Sequence, residues 1–161
     1  MATTFALRPI SPVIRNESYR YVTPPLAAAQ DFTKGAPALL NVTGTVQEAG
    51  ANPAAILGFF SADAEQYDWK EDTLGKVTPA VPVALATGVF RGSLVGTFAA
   101  ADVGATFGIT EQVDGTWTVD RAKTGGDARV RVLGVDDEVV VGDINVPCTF
   151  AVLEANRQVV I

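Results

Sequence analysis

Short apolar segments recur about every 8–12 residues through the second half of the chain, a spacing that marks a β-sandwich or barrel. They fall at 88–95, 106–112, 116–121, 128–134, 138–142 and 146–153. No stretch supports a helix longer than about two turns. The best candidate is Thr97–Gly104, with Gly104 as its stop. Hydrophobic residues make up 48% of the 161 and charged residues 19%, so the chain can build a real core and is not disordered.

One hairpin can be read in register. A two-residue Asp114-Gly115 loop would set Ile109 opposite Asp120 and mix apolar with charged groups on one face. A three-residue loop, Val113-Asp114-Gly115, instead pairs Glu111 with Trp117, Thr110 with Thr118 and Ile109 with Val119. Phe107, Ile109, Trp117 and Val119 then share one face, and Gly115 takes the left-handed position of a bulged turn. Farther on, Arg129 and Arg131 alternate with Val130 and Val132, which predicts a strand with one wet face. Cys148 lies in a strand pattern over 146–153 and reads as a buried structural thiol, with no basic partner to make it a nucleophile.

The first half of the body is also β-like. Residues 38–48 are rich in β-branched side chains and lead into a turn at 49–53. Ile56–Phe60 reads as a buried strand with Gly58 at a bulge or a close approach. Residues 61–75 break the pattern as an acidic loop, holding Asp63, Glu65, Asp68, Glu71 and Asp72 with Tyr67 and Trp69 between them. From Lys76 to Ala86 the strand pattern returns, and Pro79 and Pro82 predict an edge or irregular strand.

Ahead of this body runs a proline-punctuated arm. Pro9, Pro12, Pro24 and Pro25 forbid a long helix or a central strand. Yet Phe5, Leu7, Ile10, Val13, Ile14, Tyr19, Tyr21, Val22 and Leu26 make it too apolar for an ordinary disordered tail. An extended arm of this kind is expected to lie on another protein chain. The fold class expected is therefore all-β, a barrel or sandwich with short helical turns, preceded by an extended N-terminal arm. The division expected is an arm over 1–30 and a β-rich body over 31–161, with possible sub-units 31–95 and 96–161.

The charge of −6 argues against nucleic acid as the main partner. It comes wholly from residues 35–161, because the first 34 carry Arg8, Arg15, Arg20 and Lys34 against only Glu17 and Asp31. There is no histidine, which removes Ser-His-Asp and Cys-His catalysis and the usual zinc sites. The acidic loop lacks the spacing of an EF-hand. Asp136-Asp137-Glu138 reads as a charged hairpin turn. No phosphate-binding glycine motif is present, and no apolar run approaches the length of a membrane span. The N-terminus has no secretory leader pattern, so Asn16-Glu-Ser18 and Asn41-Val-Thr43 read as chance glycosylation matches. The expectation is a protein without catalysis, cofactor, metal, nucleic-acid or membrane partner.

The run Lys34–Phe59, with a strand, a Gly-containing turn and the Ile56-Leu57-Gly58 strand in succession, resembles the N-terminal β unit of tailed-bacteriophage head decoration (cement) proteins. The segments Ala101–Ile109, Asp114–Asp120, Ala128–Gly134, Val141–Asn145 and Arg157-Gln158 are similar to phage structural proteins of that kind. The resemblance covers residues 32–161 and rests on structural glycines and strand patterns. It implies a protein on the outer surface of the virion capsid, made in the host cytoplasm, that clamps neighbouring major capsid proteins and self-associates as a trimer. On that reading the arm supplies the capsid interface through Phe5, Leu7, Arg8, Ile10, Val13, Ile14, Arg15, Tyr19 and Tyr21. The alternative is another virion part, in the tail tube or the head–tail joint, or a receptor- or glycan-binding β module using Tyr67 and Trp69.

Overall fold

The computed structural model describes residues 1–13, 21–27, 30–64 and 82–158. Their strands are β1 (Ser11–Pro12), β2 (Tyr21–Val22), β3 (Pro37–Leu40), β4 (Val46–Glu48), β5 (Gly58–Phe60), β6 (Val83–Leu85), β7 (Val89–Thr97), β8 (Thr106–Glu111), β9 (Trp117–Asp120), β10 (Val130–Val135) and β11 (Ile144–Val152). The helical content among the described residues is short 3-10 turns, so the all-β expectation holds.

Five of these strands close into a barrel. The ring runs β7–β11–β10–β8–β9 and returns to β7. Four joints are antiparallel. The fifth is parallel, with Leu94 opposite Val119 and Val95 opposite Asp120. Closing a sheet on itself removes the unpaired edges that would otherwise invite aggregation. The curvature this requires is helped by bulges in β10 between Val132 and Gly134 and in β11 between Ile144 and Val146. Leu94, Ile109, Trp117, Val119, Val130, Val132, Val146 and Phe150 are all buried.

The β8–β9 hairpin has the three-residue loop. Glu111 faces Trp117, Thr110 faces Thr118 and Ile109 faces Val119. The Gln112 amide donates to the Thr116 carbonyl at 2.9 Å, and Gly115 sits at φ 81. That left-handed backbone is why glycine is needed there. The strand at 130–132 also alternates as read, with Val130 and Val132 buried and Arg131 exposed.

The other sheet has the order β2–β6–β5–β3–β4, antiparallel throughout. Residues 21–27 meet both of its edges. β2 pairs with β6, and a few residues later the Ala27 amide donates to the Val46 carbonyl while the Val46 amide donates to the Pro25 carbonyl, each at 2.8 Å. Leu26 is thereby buried. The two sheets share one core. Phe59 of β5 lies edge-on to Phe90 of β7, centroids 4.6 Å apart, and to Phe150 of β11 at 6.1 Å. β7 follows the turn 86–88 and, like β1, belongs to the barrel sheet.

Several local expectations change. Residues 38–48 are two strands, because the Asn41 side-chain oxygen accepts the Thr43 and Thr45 amides and Gly44 turns the chain at φ 79. The apolar segment 138–142 is a loop, not a strand. There the Asp143 carboxylate captures the Val140 amide and Gly142 takes φ 98. The described part of the 76–86 run, β6, is not an edge strand: it lies between β2 and β5. Pro82 just precedes it and uses only its carbonyl, which accepts from the Ser61 amide. Thr97–Gly104 forms one 3-10 turn over Ala100–Asp102.

Candidate functional site: the N-terminal strap

Residues 1–13 lie as an extended strap on the chain's own barrel. They begin beside the start of β11. The Ile144 amide donates to the Thr3 carbonyl at 2.8 Å, and the Phe5 amide donates to the Ile144 carbonyl at 3.0 Å. The strap then passes over β7, where the Arg8 amide donates to the Ser93 hydroxyl at 2.9 Å. It ends along the far edge of β7, with Ser11 opposite Arg91, Pro12 opposite Phe90, and the Val13 amide bonded to the Val89 carbonyl. β7 can accept β1 there because its pairing with β9 starts only at Leu94.

The local sequence explains this path. Pro9 and Pro12 withdraw two donors, so the strap cannot zip along an edge as a continuous strand. Ile10 lies between them and is 1% exposed. It sits against two glycines. A Cβ on Gly35 would fall 2.7 Å from the Ile10 nitrogen, and one on Gly92 would fall 3.3 Å from Ile10 Cγ1. Neither position has room to spare for a larger residue: Gly35 lets the chain approach the Ile10 backbone, and Gly92 lies under its side chain.

Two carboxylates fasten the strap. Asp143 is buried, and its Oδ1 accepts the Thr3 amide at 2.7 Å while Oδ2 accepts the Val140 amide at 2.9 Å. The Val140 bond first, then the Thr3 bond, hold its carboxyl below the usual carboxylate range against the opposing effect of burial. Asp136 is bridged by Arg8 at 3.7 Å and, more closely, by Arg91. Both guanidiniums are nearly half exposed, so each contact is worth about 0–1 kcal/mol.

The residues expected at a capsid interface therefore divide. Ile10 is core. Phe5, Leu7 and Val13 are half-buried, with Phe5 packed on the core. Arg8 is exposed but engaged with Asp136, and Tyr21 is 45% exposed on β2. Ile14, Arg15 and Tyr19 lie outside the described residues, as do Tyr67, Trp69 and every carboxylate of the acidic loop except Asp63. The described parts of the arm thus lie on their own chain, with Ile10 buried in its core. Sequence reasoning missed Asp143, Asp136 and Ser93. The signal available was the Gly92-Ser93 pair inside a strand, where small residues mark a close backbone approach.

A second group of acids gathers where the β8–β9 hairpin meets the other sheet. Burial first, then Glu111 and Asp31, push the Glu48 carboxyl up to about 7. The Thr33 hydroxyl donates to the Gly115 carbonyl at 2.7 Å across this seam. Among the described residues no group of three or more acids or cysteines is arranged to hold a metal ion. Cys148 is buried in β11, and desolvation first, then Asp136, push its thiol up to about 12.

No family model, no curated protein and no solved structure matches this chain.

Proposed function

We propose that this chain is a non-catalytic decoration protein of a tailed-phage head. It binds the outer capsid surface, self-associates as a trimer and clamps neighbouring major capsid proteins. The observation that carries the reading is the strap: an extended, apolar, proline-punctuated segment laid on a closed β-barrel. Its buried side holds Ile10. Its open side presents Thr3, Thr4, Ala6, Arg8 and Pro9. A segment of that form is suited to contact with a protein lattice, through backbone groups and small side chains. The resemblance over residues 32–161 supports the same reading.

The test is cosedimentation with phage heads assembled without this chain. The full chain is expected to pellet with the heads. A variant lacking residues 2–8, which keeps Ile10, is expected to stay folded by circular dichroism and remain in the supernatant. Failure of the full chain to pellet refutes decoration. Equal pelleting by both refutes the strap as the contact.

A further inference from the structure

We propose that the strap docking surface on β7 and β11 is also an interface between copies of this chain, in which residues 3–13 of one copy occupy the barrel of a second copy and are exchanged for its own. The proposal does not depend on the phage reading. Its basis is that the occupant of the surface is visible. Ile144, Asp143, Ser93, Phe90, Arg91 and Val89 already accept this segment, so a second copy presents a ligand of matching register and chemistry.

The strap is held in a way that permits exchange. Its backbone bonds to the barrel are few and scattered, because Pro9 and Pro12 donate none. The contacts fall at four places: Thr3–Phe5 on Asp143 and Ile144, Arg8 on Ser93 and Asp136, Ile10 beside Gly35 and Gly92, and Ser11–Val13 on the edge of β7. The strap's two anchorages beyond Ile10 lie close together along the chain. Val13 bonds to Val89, and Tyr21 pairs with Ala84 on the other side of the turn at 86–88. The eight peptide steps from Val13 to Tyr21 reach up to about 28 Å, well beyond what that short separation requires. Exchange of an identical element makes the same contacts in trans as in cis and is a low-cost route to association. It competes with self-docking once the local concentration of copies approaches that of a short tether, on the order of millimolar.

The test uses pairs of single-cysteine chains. Thr4 and Ile144 face each other as bridge partners between strap and barrel. A Thr4→Cys chain and an Ile144→Cys chain are denatured together, refolded together at high concentration, and oxidised mildly. On one chain the two new cysteines never occur together, so only a strap seated on a second copy brings them into contact. The native Cys148 is buried and stays out of the reaction. The control pairs Thr4→Cys with Val42→Cys, since Val42 is fully exposed and reports chance collision. Exchange predicts a cross-chain species of twice the chain mass, reduced by thiols and mapped to 4–144, in excess of the control. Folded chains that give no such species, or no more than the control pair, overturn the proposal. Circular dichroism of each variant establishes folding independently.

Discussion

Replacing Ile10 by alanine asks whether the strap is part of the fold. The substitution removes three buried carbons, worth about 2.4 kcal/mol at about 0.8 kcal/mol each. A cavity term adds to this when the surroundings cannot collapse. Here they collapse poorly. Gly92 has no side chain to move in, and the Phe150 ring that borders its position is fixed among Phe59 and Phe90. The expected cost is therefore about 3–4 kcal/mol, in the upper part of the range for Ile-to-Ala changes. Urea unfolding followed by tryptophan fluorescence reads this directly, since Trp117 is buried in the barrel. With a slope of about 2 kcal/mol per molar, the midpoint falls by about 1.5–2 M. Leu7→Ala, at a half-buried strap position, is the control and should cost about 1 kcal/mol. If Ile10→Ala unfolds within about 0.5 kcal/mol of the parent, the strap does not use Ile10 as a plug and the reasoning fails.

Other outcomes follow from single contacts. Gly58→Ala places a Cβ 2.0 Å from the Ala84 carbonyl oxygen, so β5 and β6 must separate; thermal denaturation should show a loss of about 3 kcal/mol or more, while Gly126→Ala, with open space around it, stays within about 0.5 kcal/mol. Glu48 is favoured in its protonated form when folded, so its contribution is full below 4.5 and is lost as pH rises through about 7. Undamped, that shift is worth about 3 kcal/mol, and partial solvent access reduces it to about 1 kcal/mol. Stability measured from pH 4 to 8 should fall over that window in the parent and not in Glu48→Gln. Asp143 has the opposite sign: its two amide bonds stabilise above the ordinary value of 3.8 and are lost as pH falls through the lower folded value. Hydrogen exchange at the Thr3 and Val140 amides should then accelerate, relative to the amides of β11, on acidification, and Asp143→Asn should show that loosening already at neutral pH.

Where a residue type has one conformational use, the sequence was legible. Gly115 admits the left-handed turn that sets Glu111 against Trp117, so the hairpin register is legible in the sequence itself. Gly58 signalled a close approach, and the approach is to Ala84. What could not be read depended on contacts distant along the chain. The 138–142 segment is as apolar as a strand, and it becomes a loop because Asp143 binds Val140 and Thr3 at once. β6 escapes the edge because residues 21–22, some sixty positions earlier, pair with its far side. The strap is the extreme case. Its prolines declared it extended and its apolar residues declared it docked. The identity of the surface lay in Gly35 and Gly92, which local pattern does not connect to Ile10.

The N-terminal segment consequently does two different things, although composition treats it as one arm. Residues 21–27 are paired toward β6 at one end and toward β4 at the other, and Leu26 is buried between the edges they join. Such a stretch acts as a stave of its sheet, and removing it would leave two strand edges bare. Residues 1–13 contribute one buried plug and scattered backbone bonds, while much of their length faces outward. A stave is fixed by cooperative pairing on both sides, whereas a strap is fixed mainly by its plug. Changes within 21–27 therefore act on the fold, whereas changes at the outward-facing positions of 1–9 test the proposed association. Ile10 belongs to both, because the side chain that holds the strap down is also the one that completes the core beside Phe150.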